Sequence, residues 1–207
     1  HAAPFEILGP QPNGKAWTVT TIQPDAVAVA VVINGKETLL DRVSGDVFSG
    51  EVADKAYTLK VTYADDQVVE CSDAYAFGPM LTDFDQYLMG EGTHYQLWRA
   101  LGAHVTTHED VAGTHFAVWA PNATRVSVVG DFNMWDGRRH PMQRAGNTGA
   151  WEISLPHVGE GAIYKYEVIG AHGSFALKAD PVGFGSQHPP EKASIVRDIG
   201  GYGWKDG

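Results

Sequence analysis

The sequence carries one short motif twice, as Tyr57–Val61 (YTLKV) and as Tyr164–Val168 (YKYEV). Three more pairs of matching stretches surround these copies in the same order: Leu8-Gly9 with Leu101-Gly102, Gln23–Val27 with Ala120–Thr124, and Asp73–Gly78 (DAYAFG) with Asp180–Gly185 (DPVGFG). An internal repeat of this length indicates two similar domains in tandem. Each copy covers roughly 80 to 95 residues, which is within the usual size range of a domain.

Both copies are rich in short runs of strand-forming residues. In the second motif the residue types alternate, so Tyr164 and Tyr166 point to one face of a strand, which we expect to face inward, and Lys165 points to the other. The predicted strands are Trp17–Ile22, Ala26–Ile33, Tyr57–Tyr63 and Gln67–Glu70 in the first copy, and His115–Trp119, Arg125–Gly130, Ala150–Leu155, Ile163–Ile169 and Phe175–Lys178 in the second. This spacing predicts an all-β fold of two tandem immunoglobulin-like β-sandwiches.

A short helical linker is predicted between the two sandwiches. Three apolar residues recur there at helical spacing: Leu81, Phe84 and Leu88. Thr82 with Asp85 forms a capping-box-like start, Gly90 is a natural stop, and a second short helix is expected over Tyr95–Leu101. The expected domains are therefore residues 1–80, a helical linker over 81–102, and residues 103–207, which we expect to fold independently.

The composition describes a folded, aromatic-rich protein with an acidic balance. Of the 207 residues, 43% are hydrophobic and 19% are charged, and the formal net charge is −10. No run of Lys and Arg exceeds the pair Arg138 and Arg139. Because binding to a phosphate backbone or an anionic membrane requires a basic face, we expect no nucleic acid and no membrane among the partners. A neutral ligand fits better.

The sequence also lacks the marks of export. Cys71 is the single cysteine, so no internal disulfide can form. No apolar run reaches the roughly 18 residues of a membrane span, and no signal peptide opens the chain. We therefore expect a cytoplasmic protein. The chain begins with His1 rather than Met, which suggests a segment of a longer polypeptide.

No arrangement of residues typical of catalysis is found. Gly9–Ala16 (GPQPNGKA) matches the spacing of a phosphate-binding loop, but Pro10 and Pro12 carry no N–H group to bind phosphate. His104 and His108 lie in a poor helix-forming stretch without the acidic residue of a zinc-protease motif. We therefore predict no catalytic residue, no metal ligand and no cofactor-binding residue.

The loop Gly130–Gly137 (GDFNMWDG) is the segment that most suggests binding. Its Asp, Asn and Gly residues are typical of surface loops, so Trp135 is a large aromatic side chain at a place where burial is difficult. The alternative is that Trp135 folds back as a lid over its own core. By contrast, Trp119 and Trp151 lie in predicted strands and are expected in the core. The first copy has no aromatic residue at the corresponding place, Val32–Glu37 (VINGKE).

Two stretches, Gly113–Asn122 (GTHFAVWAPN) and Val126–Met142 (VSVVGDFNMWDGRRHPM), closely resemble carbohydrate-binding module family 48 of bacterial 1,4-α-glucan branching enzymes. Pro4–Gly9 and Asp83–His94 look like the extra N-terminal domain and linker that precede this module in the longer bacterial form. Three further stretches look like the run-up to the catalytic barrel of those enzymes: Lys178–Pro181, Lys192–Ile195 and Gly203-Trp204. The resemblance covers essentially the whole chain.

The resemblance implies a parent enzyme that cleaves an α-1,4-glucan chain, holds it as a covalent glycosyl intermediate and transfers it to a 6-hydroxyl to make an α-1,6 branch. That chemistry lies in a (β/α)8 barrel outside this chain, and no metal or organic cofactor is implied. The implied partners are α-1,4-glucan or glycogen and the catalytic barrel. Two alternatives stay open: a module of a related debranching or trehalose-forming hydrolase, and a stand-alone glycogen-binding protein. The tandem copy favours a branching enzyme, because those hydrolases usually carry a single such module.

Four residues are expected to contact the glucan. In family members that bind glucan, the tryptophan of the G-x-F-N-x-W stretch and the lysine of the Y-K-Y strand contact the sugar, and these match Trp135 and Lys165. Asn133 of the same stretch is expected to supply an amide group, and Phe175 is the candidate for a second aromatic contact. An aromatic plane can stack on the flat C–H face of a sugar ring, while charged or amide donors bond its hydroxyls.

Overall fold

A computed structural model describes residues 3–200 of the chain, so Gly203-Trp204 lies outside the described residues. The chain divides into two compact units, His1–Gly78 and Pro79–Gly207. Both consist mainly of antiparallel β-strands, which confirms the all-β fold. In the described part of the chain, no helix combines the length and apolar character needed to span a membrane.

The first unit is built from eight strands. A 3-10 turn over Pro4–Glu6 precedes them, and another over Ala74–Ala76 follows them. The strands are β1 (Gly9–Asn13), β2 (Ala16–Ile22), β3 (Ala26–Ile33), β4 (Lys36–Leu39), β5 (Asp41–Ser44), β6 (Val47–Val52), β7 (Thr58–Tyr63) and β8 (Val68–Cys71). They form two four-stranded antiparallel sheets in the orders β1-β2-β6-β5 and β4-β3-β7-β8.

Apolar side chains from both sheets form one core in the first unit. Val19 and Phe48 come from one sheet, Val29 and Leu59 come from the other, and none of the four is more than 1% exposed. Full burial of such a side chain contributes about 1.5–3 kcal/mol to folding. The two sheets therefore pack face to face as a β-sandwich.

The second unit begins with two helices, α1 (Asp83–Gly90) and α2 (Leu97–Ala100). The strands that follow are β9 (Gly102–His108), β10 (Val111–Trp119), β11 (Ala123–Gly130), β12 (Gln143–Arg144), β13 (Ala150–Pro156), β14 (Ile163–Gly170), β15 (Phe175–Lys178) and β16 (Ser194–Ile195). One sheet has the order β12-β13-β10-β9. The other has the order β11-β14-β15, with β16 also paired to β14.

The two units repeat one strand order, so the sequence repeat is a repeat of structure. The sheet β1-β2-β6-β5 corresponds to β9-β10-β13-β12, and β3-β7-β8 corresponds to β11-β14-β15. In place of β4, the second unit pairs the segment 140–142 with β11, where the amide of Met142 donates to the carbonyl of Val126 at 2.8 Å. The connection to this fourth strand is the tight Asn34-Gly35 turn in the first unit and a longer loop in the second.

A tyrosine–aspartate contact explains why two of the repeated motifs occur together. Tyr57 donates its hydroxyl hydrogen to Asp73 Oδ2 at 2.7 Å in the first unit. Tyr164 donates to Asp180 Oδ2 at the same distance of 2.7 Å in the second. Both aspartates are buried, and burial raises the pKa of each carboxyl above its ordinary value. Each contact ties a central strand to the segment that follows its sheet.

The repeated Leu-Gly pair reflects a close approach of two backbone segments. Gly9 and Gly102 have positive φ angles of +78° and +105°. A Cβ atom at Gly9 would lie 2.2 Å from the carbonyl oxygen of Tyr75, and one at Gly102 would lie 3.2 Å from that of Val182. The amides of Tyr75 and Val182 bond the buried aspartates of their units in the same way, at 3.0 and 2.8 Å. Glycine is therefore required at equivalent places in both units.

The predicted helix start is confirmed. Thr82 Oγ1 accepts from the amide of Asp85, and the Asp85 carboxylate accepts from the amide of Thr82, both at 3.1 Å. This capping box begins α1, which ends at Gly90 as expected. The second helix, Leu97–Ala100, is shorter than the expected Tyr95–Leu101.

The helical segment is part of the second unit rather than a separate linker. One apolar cluster joins residues of this segment to the sandwich: Leu81, Ala100 and Leu101 with Ala117, Ala145 and Ala150. The buried carboxylate of Glu152 accepts from the amides of Met80 and Leu81, both at 2.9 Å. The boundary after Gly78 thus differs from the expected division into residues 1–80, 81–102 and 103–207. Residues 79–101 complete the core that the expected third domain would lack.

Of the two tryptophans expected in the core, one is buried and one is not. Trp151 is fully buried, whereas Trp119 is 58% exposed, so the prediction for Trp119 is wrong. The reason lies in the register of β10 with β13. Trp151 pairs with Val118, so the next residue along the strand, Trp119, points to the opposite face of the sheet.

Several strands of low apolar content are not predicted by the sequence pattern. The phosphate-loop-like stretch Gly9–Ala16 forms the edge strand β1 and the turn into β2. Pro10 and Pro12 are tolerated there because an edge strand has a neighbouring strand on one side only. Some of its residues therefore need no backbone N–H group to donate a hydrogen bond. The other missed strands, β4, β5, β6, β9, β12 and β16, are short, polar or mixed in character.

Candidate carbohydrate-binding site

The loop that follows β11, residues 131–139, is here called the Trp135 loop. It opens with a 3-10 turn over Asp131–Asn133, after which Met134 and Trp135 adopt left-handed conformations with φ of 58° and 59°. The amide of Trp135 donates to the carbonyl of Gly130 at 3.0 Å, which closes the loop on itself. Two consecutive left-handed residues other than glycine are uncommon, so the surrounding contacts must hold this conformation.

The side chain of Trp135 is 37% exposed. Its indole N–H donates to Asp131 Oδ1 at 2.8 Å, which fixes the orientation of the ring from within the loop. Trp135 is partly covered but does not close completely over its own core. A fixed, accessible aromatic surface is instead available to a ligand.

Asn133 lies buried beneath the Trp135 loop, contrary to the expectation that its amide contacts sugar. It is only 2% exposed. Its Oδ1 accepts from the amide of Gly130, and its Nδ2 donates to the carbonyl of Val128 and to Nδ1 of His140, all at 2.9 Å. The amide is therefore fully used inside the protein, where it joins the Trp135 loop to β11 and to the segment after the loop.

His140 supports this contact as a neutral ring. It accepts a hydrogen bond at Nδ1 from Asn133, so that nitrogen carries no proton. Burial, and secondarily the nearby charge of Arg139, lower the pKa of His140 to about 4. The imidazole consequently stays uncharged at neutral pH.

Lys165 lies on β14 beside the end of β11, where it pairs with Val129. Its neighbours Tyr164 and Tyr166 are fully buried, which confirms the predicted inward face and places Lys165 on the outward face. The side chain is partly exposed. Within residues 3–200, no ion pair or hydrogen bond engages its ammonium group. Its three N–H donors are therefore available to a ligand.

The Trp135 loop lies against this same outward face. Glu167, two positions from Lys165 on β14, is 9% exposed and forms an ion pair with Arg125. Gly137 packs directly on its carboxylate, since a Cβ atom at Gly137 would lie 2.4 Å from Glu167. The structure thus brings the loop that carries Trp135 onto the strand that carries Lys165.

Phe175 is 61% exposed on β15. It pairs with Ile169, so its side chain shares the outward face with Lys165. Ile169 is four residues from Lys165 along β14, which is about 13 Å at 3.3 Å per residue. The structure therefore places Phe175 on the expected face but away from Lys165 along the sheet.

Sequence reasoning missed the residues that hold this site in place. Asp131, Gly137, His140 and the Arg125–Glu167 pair all act on the loop or on the strand beneath it. The position of Asp131 four residues before Trp135 was the only signal in the sequence, and it does not by itself indicate a contact. Elsewhere, the part of the chain with assigned structure contains no group of three or more His, Cys, Asp or Glu side chains that could hold a metal ion.

Two known families match consecutive parts of the chain. Residues 1–75 match the N-terminal domain of the alpha-1,4-glucan branching enzyme GlgB, and residues 100–183 match carbohydrate-binding module 48, the isoamylase N-terminal domain. The 1,4-alpha-glucan branching enzyme GlgB of Roseobacter denitrificans is 50% identical over 221 residues, which cover 100% of this chain and 29% of that protein. The GlgB of Rubrobacter xylanophilus is 48% identical over 212 residues, again 100% of this chain and 29% of that protein. The chain belongs to the N-terminal regions of 1,4-alpha-glucan branching enzymes.

This assignment agrees with the division of the structure. The GlgB N-terminal match lies within the first unit, and the module 48 match lies within the second, where it includes Trp135, Lys165 and Phe175. The chain spans about 29% of the length of the branching enzymes it matches. Among solved structures, a pullulanase of Klebsiella pneumoniae is similar at 19% identity with a TM-score of 0.42, over 92% of this chain and 21% of that chain, a likeness too remote to add to the assignment.

Proposed function

We propose that the second unit binds linear α-1,4-glucan through Trp135 and Lys165, as the non-catalytic binding part of a 1,4-alpha-glucan branching enzyme. The observation that carries the proposal is the pairing of an exposed indole with an ammonium group that has no partner in the described residues. The indole offers an apolar plane to the C–H face of a glucosyl ring, and the ammonium group offers donors to the hydroxyls at its edge.

Phe175 extends this site along the sheet. A single glucosyl ring on Trp135 leaves Phe175 without a ligand, because about 13 Å separates its register position from that of Lys165. A chain of several rings lying across the outward face contacts both ends. Longer malto-oligosaccharides are therefore expected to bind more tightly than maltose.

The parent protein transfers segments of α-1,4-glucan to 6-hydroxyls and so forms the α-1,6 branches of glycogen in the cytoplasm. The proposal rests on the names of the relatives, which match the chain over its whole length. The chemistry resides in the catalytic barrel of the parent, on which this region docks. The present chain contributes substrate binding.

Isothermal titration of the chain with maltoheptaose tests the binding site. Trp135→Ala is expected to weaken binding by roughly 1 to 3 kcal/mol, or about fivefold to more than a hundredfold, as for other aromatic anchors. Lys165→Met keeps the side-chain stem but removes the donors, and a loss of roughly 0.5–1.5 kcal/mol is expected.

The control is Trp119→Ala, which removes an exposed tryptophan at the end of β10, in the other sheet of the second unit. It should leave the affinity for maltoheptaose unchanged. Unaltered binding by Trp135→Ala, together with lost binding by Trp119→Ala, would place the glucan site elsewhere and refute the proposal.

A further inference from the structure

The carboxylate of Asp131 lies at the edge of the Trp135 ring. Its Oδ1 accepts from the indole N–H at 2.8 Å, and the residue is exposed. An ionised carboxylate offers about four acceptor positions on its two oxygens. In the part of the chain that the structure describes, no other donor bonds this carboxylate. The second oxygen, Oδ2, is therefore a charged acceptor that a ligand can reach.

Asp131 shares the outward face of its sheet with Lys165. Gly130, which precedes it, is fully extended, with φ of −174° and ψ of −173°. Because side chains alternate along an extended segment, Asp131 points to the same face as Val129. Val129 pairs with Lys165 across the two strands. The backbone positions of Asp131 and Lys165 are thus diagonal neighbours, which are about 7–8 Å apart in a sheet.

These two side chains carry opposite charges but do not neutralise each other. The carboxylate is directed to the indole, and among residues 3–200 neither group forms an ion pair. The face therefore keeps an acceptor after one strand and donors on the next. A carbohydrate hydroxyl can donate one hydrogen bond and also accept others, so it suits such a surface.

The balance of charge on this face favours a neutral ligand. A cation would be attracted by Asp131 and by the indole ring but repelled by Lys165, and an anion would be attracted by Lys165 but repelled by Asp131. An uncharged molecule with hydroxyl groups avoids both repulsions. It can also use the acceptor and the donors together.

The position of the carboxylate around the indole suits a stacked sugar. The indole N–H lies in the plane of the ring, so the oxygen that accepts from it lies at the rim of that plane. The hydroxyls of a glucosyl ring also lie at its rim. Stacking of the two rings therefore brings sugar hydroxyls beside the carboxylate of Asp131.

We infer that Asp131 contacts the glucan directly: Oδ1 holds the indole of Trp135, and Oδ2 accepts from a hydroxyl of the glucosyl ring stacked on it. The inference rests on the proposed function and adds to that site an acceptor that selects ligands with hydroxyl donors. Hydrogen bonds to an ionised oxygen are shorter and stronger than those between neutral groups. The contribution of Asp131 to affinity is therefore comparable to that of Lys165.

Two variants of the 207-residue chain separate direct contact from support of the ring. Asp131→Asn keeps an amide oxygen for the indole N–H but replaces the second oxygen by an NH₂ group, which cannot accept. Asp131→Ala removes both oxygens. Isothermal titration with maltoheptaose should show binding weakened about fivefold by Asp131→Asn and about tenfold or more by Asp131→Ala.

The matched control is Asp110→Asn. It removes the same charge from the exposed turn between β9 and β10, which belong to the other sheet of the second unit. The affinity for maltoheptaose should not change. The melting temperatures of all three variants should stay close to that of the original chain, because both aspartates are exposed.

The indole N–H signal of Trp135 reports the position of the ring independently of affinity. In nitrogen–proton correlation spectra of the chain with isotope-labelled tryptophan, it is the side-chain signal that is missing from Trp135→Phe. A hydrogen-bonded indole proton resonates downfield of a free one. We expect the signal to stay near its original position in Asp131→Asn and to move upfield in Asp131→Ala.

Two results would overturn the inference, and Asp131→Asn decides between them and the expected one even where Asp131→Ala fails to fold. Binding of the original strength by Asp131→Asn would show that Asp131 acts only through the ring. Weaker binding together with a displaced indole signal would assign the loss to ring orientation. In both cases lost binding by Trp135→Ala and Lys165→Met leaves the glucan site standing without Asp131, whereas unchanged binding by those two variants refutes the proposed function itself.

Discussion

Asn133 and Trp135 are two residues apart in one loop but have opposite surroundings. Asn133 is 2% exposed and its side chain bonds three partners, whereas Trp135 is 37% exposed and its side chain bonds one, through the indole N–H. The first residue therefore sets the conformation of the loop, and the second presents a surface on it. Substitutions at the two positions should separate stability from binding.

Asn133→Ala is expected to lower the free energy of unfolding by roughly 2 to 5 kcal/mol, because it leaves the amide of Gly130, the carbonyl of Val128 and Nδ1 of His140 without their partner. Urea unfolding followed by tryptophan fluorescence measures the change. Asn147→Ala, at an exposed asparagine, is the control and should have little effect. A fully stable Asn133→Ala protein that fails to bind maltoheptaose would show that Asn133 contacts the sugar after all.

His140 predicts a dependence of stability on pH. Its pKa is about 4 in the folded protein and 6.5 when unperturbed, so on acidification the unfolded chain takes up the proton first. The contribution of neutral His140 to the free energy of unfolding is fully present above pH 6.5. It is lost as the pH falls toward 4. Between pH 7 and pH 5 the loss should be about 2 kcal/mol.

The comparison that isolates His140 is His140→Gln, whose side-chain oxygen can still accept from Asn133 but does not titrate. Urea unfolding at pH 7 and pH 5 should show a smaller loss for the variant than for the original chain. His104, whose pKa is also lowered, chiefly by burial, is present in both proteins and cancels. An identical loss in the two proteins would mean that His140 is not the group responsible.

The resemblance to module family 48 predicts sugar contacts for Trp135, Lys165 and Asn133; the first two side chains are accessible, whereas Asn133 is buried. An asparagine in a polar loop points equally well outward to a ligand or inward to backbone groups, and sequence does not distinguish the two directions. Here the amide of Gly130, the carbonyl of Val128 and Nδ1 of His140 each bond the Asn133 side chain at 2.9 Å and fix its inward direction. Only the folded loop reveals them.

Among the elements, the helical segment before β9 has the largest consequence for folding. Leu81 and Leu101 are 6% and 4% exposed within the cluster that includes Ala117, and Glu152 needs the amides of Met80 and Leu81. A fragment that starts at residue 103 loses these contacts. It also leaves a buried carboxylate short of two of its hydrogen bonds, which is costly.

We therefore expect residues 79–207 to melt cooperatively by themselves, and residues 103–207 to be much less stable or unfolded. Differential scanning calorimetry of the two fragments makes the comparison. Leu101→Ala in the whole chain is a milder version of the same loss and should cost roughly 2 to 5 kcal/mol. A fragment 103–207 as stable as 79–207 would show that the helical segment is a dispensable linker.

The strands that sequence predicts well are those with apolar alternation or a continuous apolar run. Ala26–Ile33 and Phe175–Lys178 were predicted to the residue. Strands such as β5 (Asp41–Ser44) escape notice because every residue is exposed, and the strand is specified by its pairing with β6 rather than by burial. Pairing across the sheet is a tertiary property that local patterns do not contain.

For the whole chain, the proposal of glucan binding without catalysis leads to a simple expectation. Incubated with amylose, the 207-residue chain should leave the iodine-stained absorbance constant, because the chemistry of the proposed parent lies outside it. The Roseobacter denitrificans enzyme, assayed in parallel, should lower the absorbance. A sustained fall with the chain alone would show that it contains catalytic residues after all.

The short Asn34-Gly35 turn of the first unit occupies the same place in the strand order as the Trp135 loop of the second. Both turn residues have positive φ, 50° and 77°, as in the tightest hairpins, and both units surround this position with the same strands. The two units thus keep the same strand order although this one connection differs in length. In evolutionary terms, the proposed recognition of glucan combines one divergent loop with Lys165 and Phe175 on neighbouring strands, so a bivalent glucan binder would need both residues 131–139 and these strand positions transferred to the first unit.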